Sequence, residues 1–97
     1  MGVYITLINY TDQGVQNLKG TPERVAAARQ AVEAAGGRLH QYRLTIGQYD
    51  AVVVSEAPDD ASYARIILSI AAQGNIRTTT LKAFSEEESF QILASLP

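Results

Sequence analysis

The sequence predicts an α+β domain in which two helices cover one face of a four-stranded antiparallel sheet. Three observations predict it. Four β-rich runs alternate with two amphipathic helical stretches in the order β-α-β-β-α-β. The two middle strands are separated only by a short Gly-containing turn, the mark of a β-hairpin. A third helix follows the last strand. That order is the split βαβ pattern of the ferredoxin-like fold, and right-handed crossovers place both crossover helices on the same side of the sheet.

The first strand is read over Val3 to Tyr10 (VYITLINY), rich in β-branched and aromatic residues. Val3, Ile5 and Leu7 alternate with Tyr4, Thr6 and Ile8, so both faces are largely apolar. Asp12 is placed as the cap of a short helical turn carrying Val15 and Leu18, and Gly20 interrupts it. Thr21-Pro22-Glu23 reads as a fresh helix start, with Thr as cap and Pro at the first helical position. Val25, Ala28, Val32 and Ala35 share one face of that helix, and Gly36-Gly37 ends it.

Arg38 to Thr45 is the second strand and Tyr49 to Glu56 the third, with Gly47 in the turn. Pairing Leu44 with Tyr49 sets Arg43 opposite Asp50, Tyr42 opposite Ala51 and His40 opposite Val53. Val52-Val53-Val54 is continuous, as in a strand buried on both faces. Pro58 stops the strand, and Asp59 or Asp60 caps the second helix, whose stripe is Ala64, Ile67, Leu68 and Ala71, widened by Ile66 and Ile70. Gly74-Asn75 ends it. Ile76 to Phe84 is the fourth strand. Ser85-Glu86-Glu87-Glu88 forms a capping box for a last helix bearing Phe90, Ile92, Leu93, Ala94 and Leu96.

The 97 residues suffice for one domain, read as residues 1–97, and 46% hydrophobic content implies a packed core. A net charge of −2 without a basic run argues against nucleic acid and anionic membrane as partners. The absence of cysteine excludes disulfides and zinc–thiolate sites, and a single histidine excludes a multi-His metal site. No metal and no cofactor is expected. The N-terminal stretch lacks the pattern of a secretory signal, and no apolar run is long enough to span a bilayer, so the expected location is cytoplasmic. An apolar sheet face without helices predicts association, and two such faces packed together make a dimeric α/β barrel.

Several separated stretches agree in order with a known family. They are YITLINYTDQGVQNLK at 4–19, TPER at 21–24, the paired glycines at 36 and 37, and Gly47-Gln48-Tyr49-Asp50. EAPDD at 56–60, GNIRTTTLKAF at 74–84 and the acidic start of the last helix complete them. The chain resembles the GYD-domain family over nearly its whole length. The resemblance implies a ferredoxin-like fold dimerising as an α/β barrel, and it brings no established activity.

Candidate chemistry gathers around the hairpin. Asp50 is a candidate general base, against the plainer role of pairing with Arg43 or anchoring the Gly47 turn. His40 is a candidate proton shuttle, against the plainer role of a packed strand residue. Tyr4, Thr6, Tyr42, Arg43 and Tyr49 are the candidate ligand contacts, although buried tyrosines more often fill cores. Asp59-Asp60 and Glu86 to Glu88 are read as helix-start chemistry rather than metal ligands. The first functional expectation is a homodimer, paired through its sheet faces, that binds a small apolar or aromatic molecule. A cofactor-independent enzyme, of monooxygenase or isomerase type and acting on a carbonyl or phenolic substrate, is the second. A structural or interaction module is the third.

Overall fold

The computed structural model describes residues 1–97. Its elements are β1 (Gly2–Tyr10), α1 (Asp12–Val15), a 3-10 turn (Leu18–Gly20), α2 (Thr21–Ala34), β2 (Arg38–Leu44), β3 (Ala51–Ala57), α3 (Asp60–Ala71), β4 (Ile76–Ala83) and α4 (Glu86–Ala94). The four strands form one antiparallel sheet in the order β2-β3-β1-β4. That is the ferredoxin-like arrangement expected from the sequence. No helix is long and apolar enough to cross a membrane.

The pairing register decides which residues face which side. On one face lie Tyr4, Thr6 and Ile8 of β1, flanked by Ala51, Val53, Ser55 and Ala57 of β3. Helices α2 and α3 cover this face, and the core forms beneath them in two parts. Ile8, Leu39, Ala51 and Val53 pack against Ala28 of α2, while Tyr4, Ala57 and Tyr63 pack against Ile67 of α3. Val3, Ile5 and Leu7, with Val52 and Val54 beside them in β3 and Leu81 in β4, point to the other face, which no helix covers.

The local devices follow the chemistry of the chain. Val25, Ala28, Val32 and Ala35 do form the inner face of α2, with Val32 fully buried. Gly36, at φ +88, ends the helix in the left-handed conformation that glycine adopts without steric cost. Ser85 and Glu88 make the complete capping box of α4.

Six expectations need correction. The hairpin register is displaced by two residues: Leu44 pairs with Ala51, Arg43 with Val52 and Tyr42 with Val53. The connection is longer than a tight turn, because the Thr45 hydroxyl bonds to the Tyr49 carbonyl at 2.6 Å and the Asp50 amide to the Ile8 carbonyl at 2.8 Å. Residues 45–50 lie between β2 and β3, so Tyr49 is not a strand residue. In β2 the register shifts between Leu39 and Gln41, a β-bulge at His40. The bulge separates His40 from the face that carries Tyr42.

The remaining corrections concern helices. Thr11, not Asp12, caps α1, its hydroxyl accepting from the Gly14 amide. Gly20 takes the cap position of α2, and the Thr21 hydroxyl instead receives the Arg24 guanidinium at 3.1 Å. In α3 the inward stripe is Tyr63, Ile66, Ile67 and Ile70, while Leu68 is 68% exposed. The periodicity of a helix with apolar residues on most sides leaves its rotation open, and Tyr63 fixes it through its hydroxyl.

Candidate functional site

Helices α2 and α3 and the sheet beneath them enclose a cavity of about 600 Å³. Its walls are aliphatic: Val25, Ala28 and Val32 from α2, with Ile66, Ile67 and Ile70 from α3. Its floor is the sheet, where Thr6 and Ser55, each only 1% exposed, set hydroxyl groups among Ile8 and Val53. Tyr10, Tyr42 and Arg24 also line it. A mostly apolar chamber with a few placed polar groups suits a small, partly apolar molecule.

Thr6, Tyr10, Tyr42 and Arg24 are each held by a definite partner. Thr6 Oγ1 lies 2.7 Å from the Tyr63 hydroxyl and 3.2 Å from Thr80 Oγ1. The Tyr63 ring stacks on Tyr4 with centroids 4.2 Å apart and planes 10° from parallel. Tyr4 donates its hydroxyl hydrogen to Asp60 at 2.5 Å, and Lys82 Nζ lies 2.8 Å from the same carboxylate. Burial, then the bond to Asp60, pushes the Tyr4 phenol up to about 12. Lys82 first and Tyr4 second hold the Asp60 carboxyl below its ordinary range. The Ser62 amide does the same for Asp59, which caps α3. No three His, Cys, Asp or Glu side chains come together in an arrangement suited to a metal ion.

At the other end of the cavity the hydroxyls of Tyr10 and Tyr42 are hydrogen-bonded to each other. Burial and that bond raise the Tyr42 phenol well above the usual tyrosine range, so Tyr42 stays neutral at physiological pH. The guanidinium of Arg24 is aimed by the Asn17 carbonyl at 2.9 Å and by Thr21. This end therefore presents two phenol hydroxyls and one guanidinium.

Of the residues singled out in the sequence, the structure brings Thr6 and Tyr42 together in this cavity. Tyr4 supports it from behind Tyr63. Asp50 lines a separate, more open depression and accepts the Tyr10 amide at 2.9 Å, which ties the 45–50 loop to β1. It does not face Arg43. Arg43 lies on the uncovered face with its Nε donating to Gln41. His40, at the bulge, sits 2.8 Å from Glu56 on the uncovered side of the sheet. Asp50 and His40 share no cavity, so a protomer does not assemble them as an acid–base pair. Tyr49 belongs to the loop, and only its carbonyl is engaged.

Tyr10, Arg24, Ser55 and Tyr63 line the cavity without having been singled out in the sequence. Tyr63 was readable: it lies three and four residues before Ile66 and Ile67, on the same helical face. Arg24 and Tyr10 carried no such signal, because helix starts and strand ends are usually solvated.

Comparison with known proteins places this geometry. Residues 4–93 match the sequence profile of the GYD domain. The chain belongs to the GYD-domain family. A relative from Thermus thermophilus, the "Glutamine synthetase and cystathionine beta-lyase binding protein", is 38% identical to this GYD protein over 84 residues, covering 86% of this chain and 88% of the relative. Solved structures of lower identity share the fold. FFRP-DM1 has a TM-score of 0.63 at 16% identity, over 87% of this chain and all of that one. Protein At3g17210 from Arabidopsis thaliana has a TM-score of 0.62 at 12% identity, over 88% of this chain and 95% of that one.

Proposed function

We propose that this GYD protein is a homodimeric, cytoplasmic binding protein for a small, partly apolar molecule, held between the sheet and helices α2 and α3. The observation that carries the reading is the cavity of about 600 Å³, with its aliphatic walls and hydroxyl-bearing floor. That volume is within the range of small-molecule sites, roughly 300–1,000 Å³. Only 11 of 97 residues are buried, which leaves the apolar open face available for a second copy. Thr6, Ser55 and Tyr42 orient the bound molecule, and the aliphatic walls supply the affinity.

Native mass spectrometry beside denaturing mass measurement tests it. The expected result is a dimer carrying a discrete added mass that denaturation removes. Ala28→Phe, which fills the chamber from α2, should abolish the added mass and keep the dimer. If the protein carries nothing and its melting temperature does not move with any member of a library of small aromatic and aliphatic compounds, the reading fails.

A second reading comes from the printed name of the Thermus relative, which is named for binding two enzymes. By that analogy this GYD protein docks on an enzyme partner, and the cavity serves as a ligand sensor or as a packing defect. The enzymatic reading has less support, since Asp50 and His40 lie apart.

A further inference from the structure

We infer that α4 is an arm that seats on a second copy of this chain, across the open sheet face, in an antiparallel pair. The inference rests on the homodimer reading and adds which element holds the pair and in which orientation.

The first observation is that α4 is formed but unpacked. It has a full capping box, yet makes no substantial contact with any other element. Phe90, Leu93 and Leu96 are each 61% exposed, and Phe84 before them 59%. The radius of gyration is 14.5 Å, against about 12.5 Å for a compact domain of this length. A helix of nine residues is marginal in water by itself. Its apolar side needs a surface.

The second observation is area. The apolar part of the open face spans three strands and about three residue rows, a projected patch of roughly 14 by 20 Å. That falls well short of the roughly 800 Å² per partner of a stable interface. Only Phe84 and Ser85 separate α4 from β4, so the helix starts at the end of this face. Patch and arm together approach the required size.

The third observation is charge, and it selects the occupant. Beside α4 the open face ends in the row of Ala83, Val3, Glu56 and Arg38. Here Glu56 is engaged by His40. The far end of the same face carries Arg43 and Arg77, neither in an ion pair. Arg77 lies six residues back along β4 from Ala83, about 20 Å away. Glu86, Glu87 and Glu88, all exposed at the start of α4, cannot reach these arginines in their own protomer. In an antiparallel pair the arginine end of one sheet lies over the arm-bearing end of the other. Strand β4 then lies over the partner's β4, so each acidic helix start meets the partner's Arg77, and the two-fold axis repeats the contact.

Sedimentation equilibrium of the full chain and three variants tests the inference. The wild type should be a dimer. Phe90→Glu with Leu93→Glu should weaken it at least about a hundredfold, with no loss in the circular dichroism spectrum beyond the helicity of the arm itself, since these side chains are each 61% exposed in their own protomer. Glu86→Lys with Glu87→Lys, and separately Arg77→Glu, should each weaken it. Mixing these two charge-exchanged chains should restore dimers, now heterodimers. A wild-type monomer overturns the homodimer reading and the arm with it. A dimer indifferent to Phe90→Glu with Leu93→Glu overturns the arm alone. Charge-exchanged chains that do not recover on mixing overturn the antiparallel seating.

Discussion

Thr6 and Tyr63 share one buried hydrogen bond, and deleting it from either side should give unequal results. Tyr63→Phe removes the phenol but keeps the ring stacked on Tyr4. The Thr6 hydroxyl then still has Thr80, 3.2 Å away. The cost is that of a satisfied hydrogen bond, about 1 kcal/mol. Thr6→Val keeps the shape of the strand residue but leaves the Tyr63 hydroxyl with no other protein partner. The cost is then the desolvation of an orphaned buried group, about 2 kcal/mol. Thr80 is exposed and recovers its loss from water. In a chain of 97 residues these values correspond to melting-point drops of about 5 and 10 °C. The double variant should cost less than the sum, because no orphan remains. Urea and thermal unfolding at one fixed protein concentration would measure all three, the concentration being held because association shifts apparent stability. Equal or inverted losses for the two single variants would refute the reasoning. They would mean that the Tyr63 hydroxyl finds water in the cavity, and that the chamber is wet at its floor.

Two further outcomes follow from the geometry. The Tyr4 phenol is raised in the folded state, so the stability it confers is complete below its ordinary value of 10.0 and is lost as pH rises toward about 12; denaturation midpoints in wild type and Tyr4→Phe should diverge below pH 10 and converge above that window, and parallel curves would contradict the assignment. Gly14→Ala drives a Cβ into the Asn75 carbonyl of the turn before β4, and should cost about 1–3 kcal/mol in urea unfolding, where a neutral result would show that α1 moves freely against that turn.

The sequence made some elements readable because their signals are local. The Ser85–Glu88 box lies within one turn, and the spacing of Val25, Ala28 and Val32 defines a single helical face. The alternation in β1 correctly divides Tyr4, Thr6 and Ile8 from Val3, Ile5 and Leu7. Which set meets the helices is a tertiary fact, settled by Tyr63 reaching Thr6. The bulge at His40 left no mark in the residue pattern, and it undid the expected pairing of His40 with Val53. The site was half legible for a related reason. Thr6 and Tyr42 were found because strand residues announce their positions, whereas the cavity depends on how α2 and α3 seat on the sheet and on each other. The separation of two helices depends on the summed volumes between them, which no single motif records.

The bulge at His40 has an effect on the company this protein keeps. β2 is an outer strand of the sheet, and a regular outer strand offers a row of free amides and carbonyls to any extended chain that drifts past. One extra residue breaks that row in the middle and sharpens the local twist. An incoming strand could match the ladder before Leu39 or after Gln41, but not both. Runaway sheet growth along this border is thereby discouraged, without a proline and without a covering helix. The chain can thus keep a broad apolar surface for chosen contacts without offering β2 as a template.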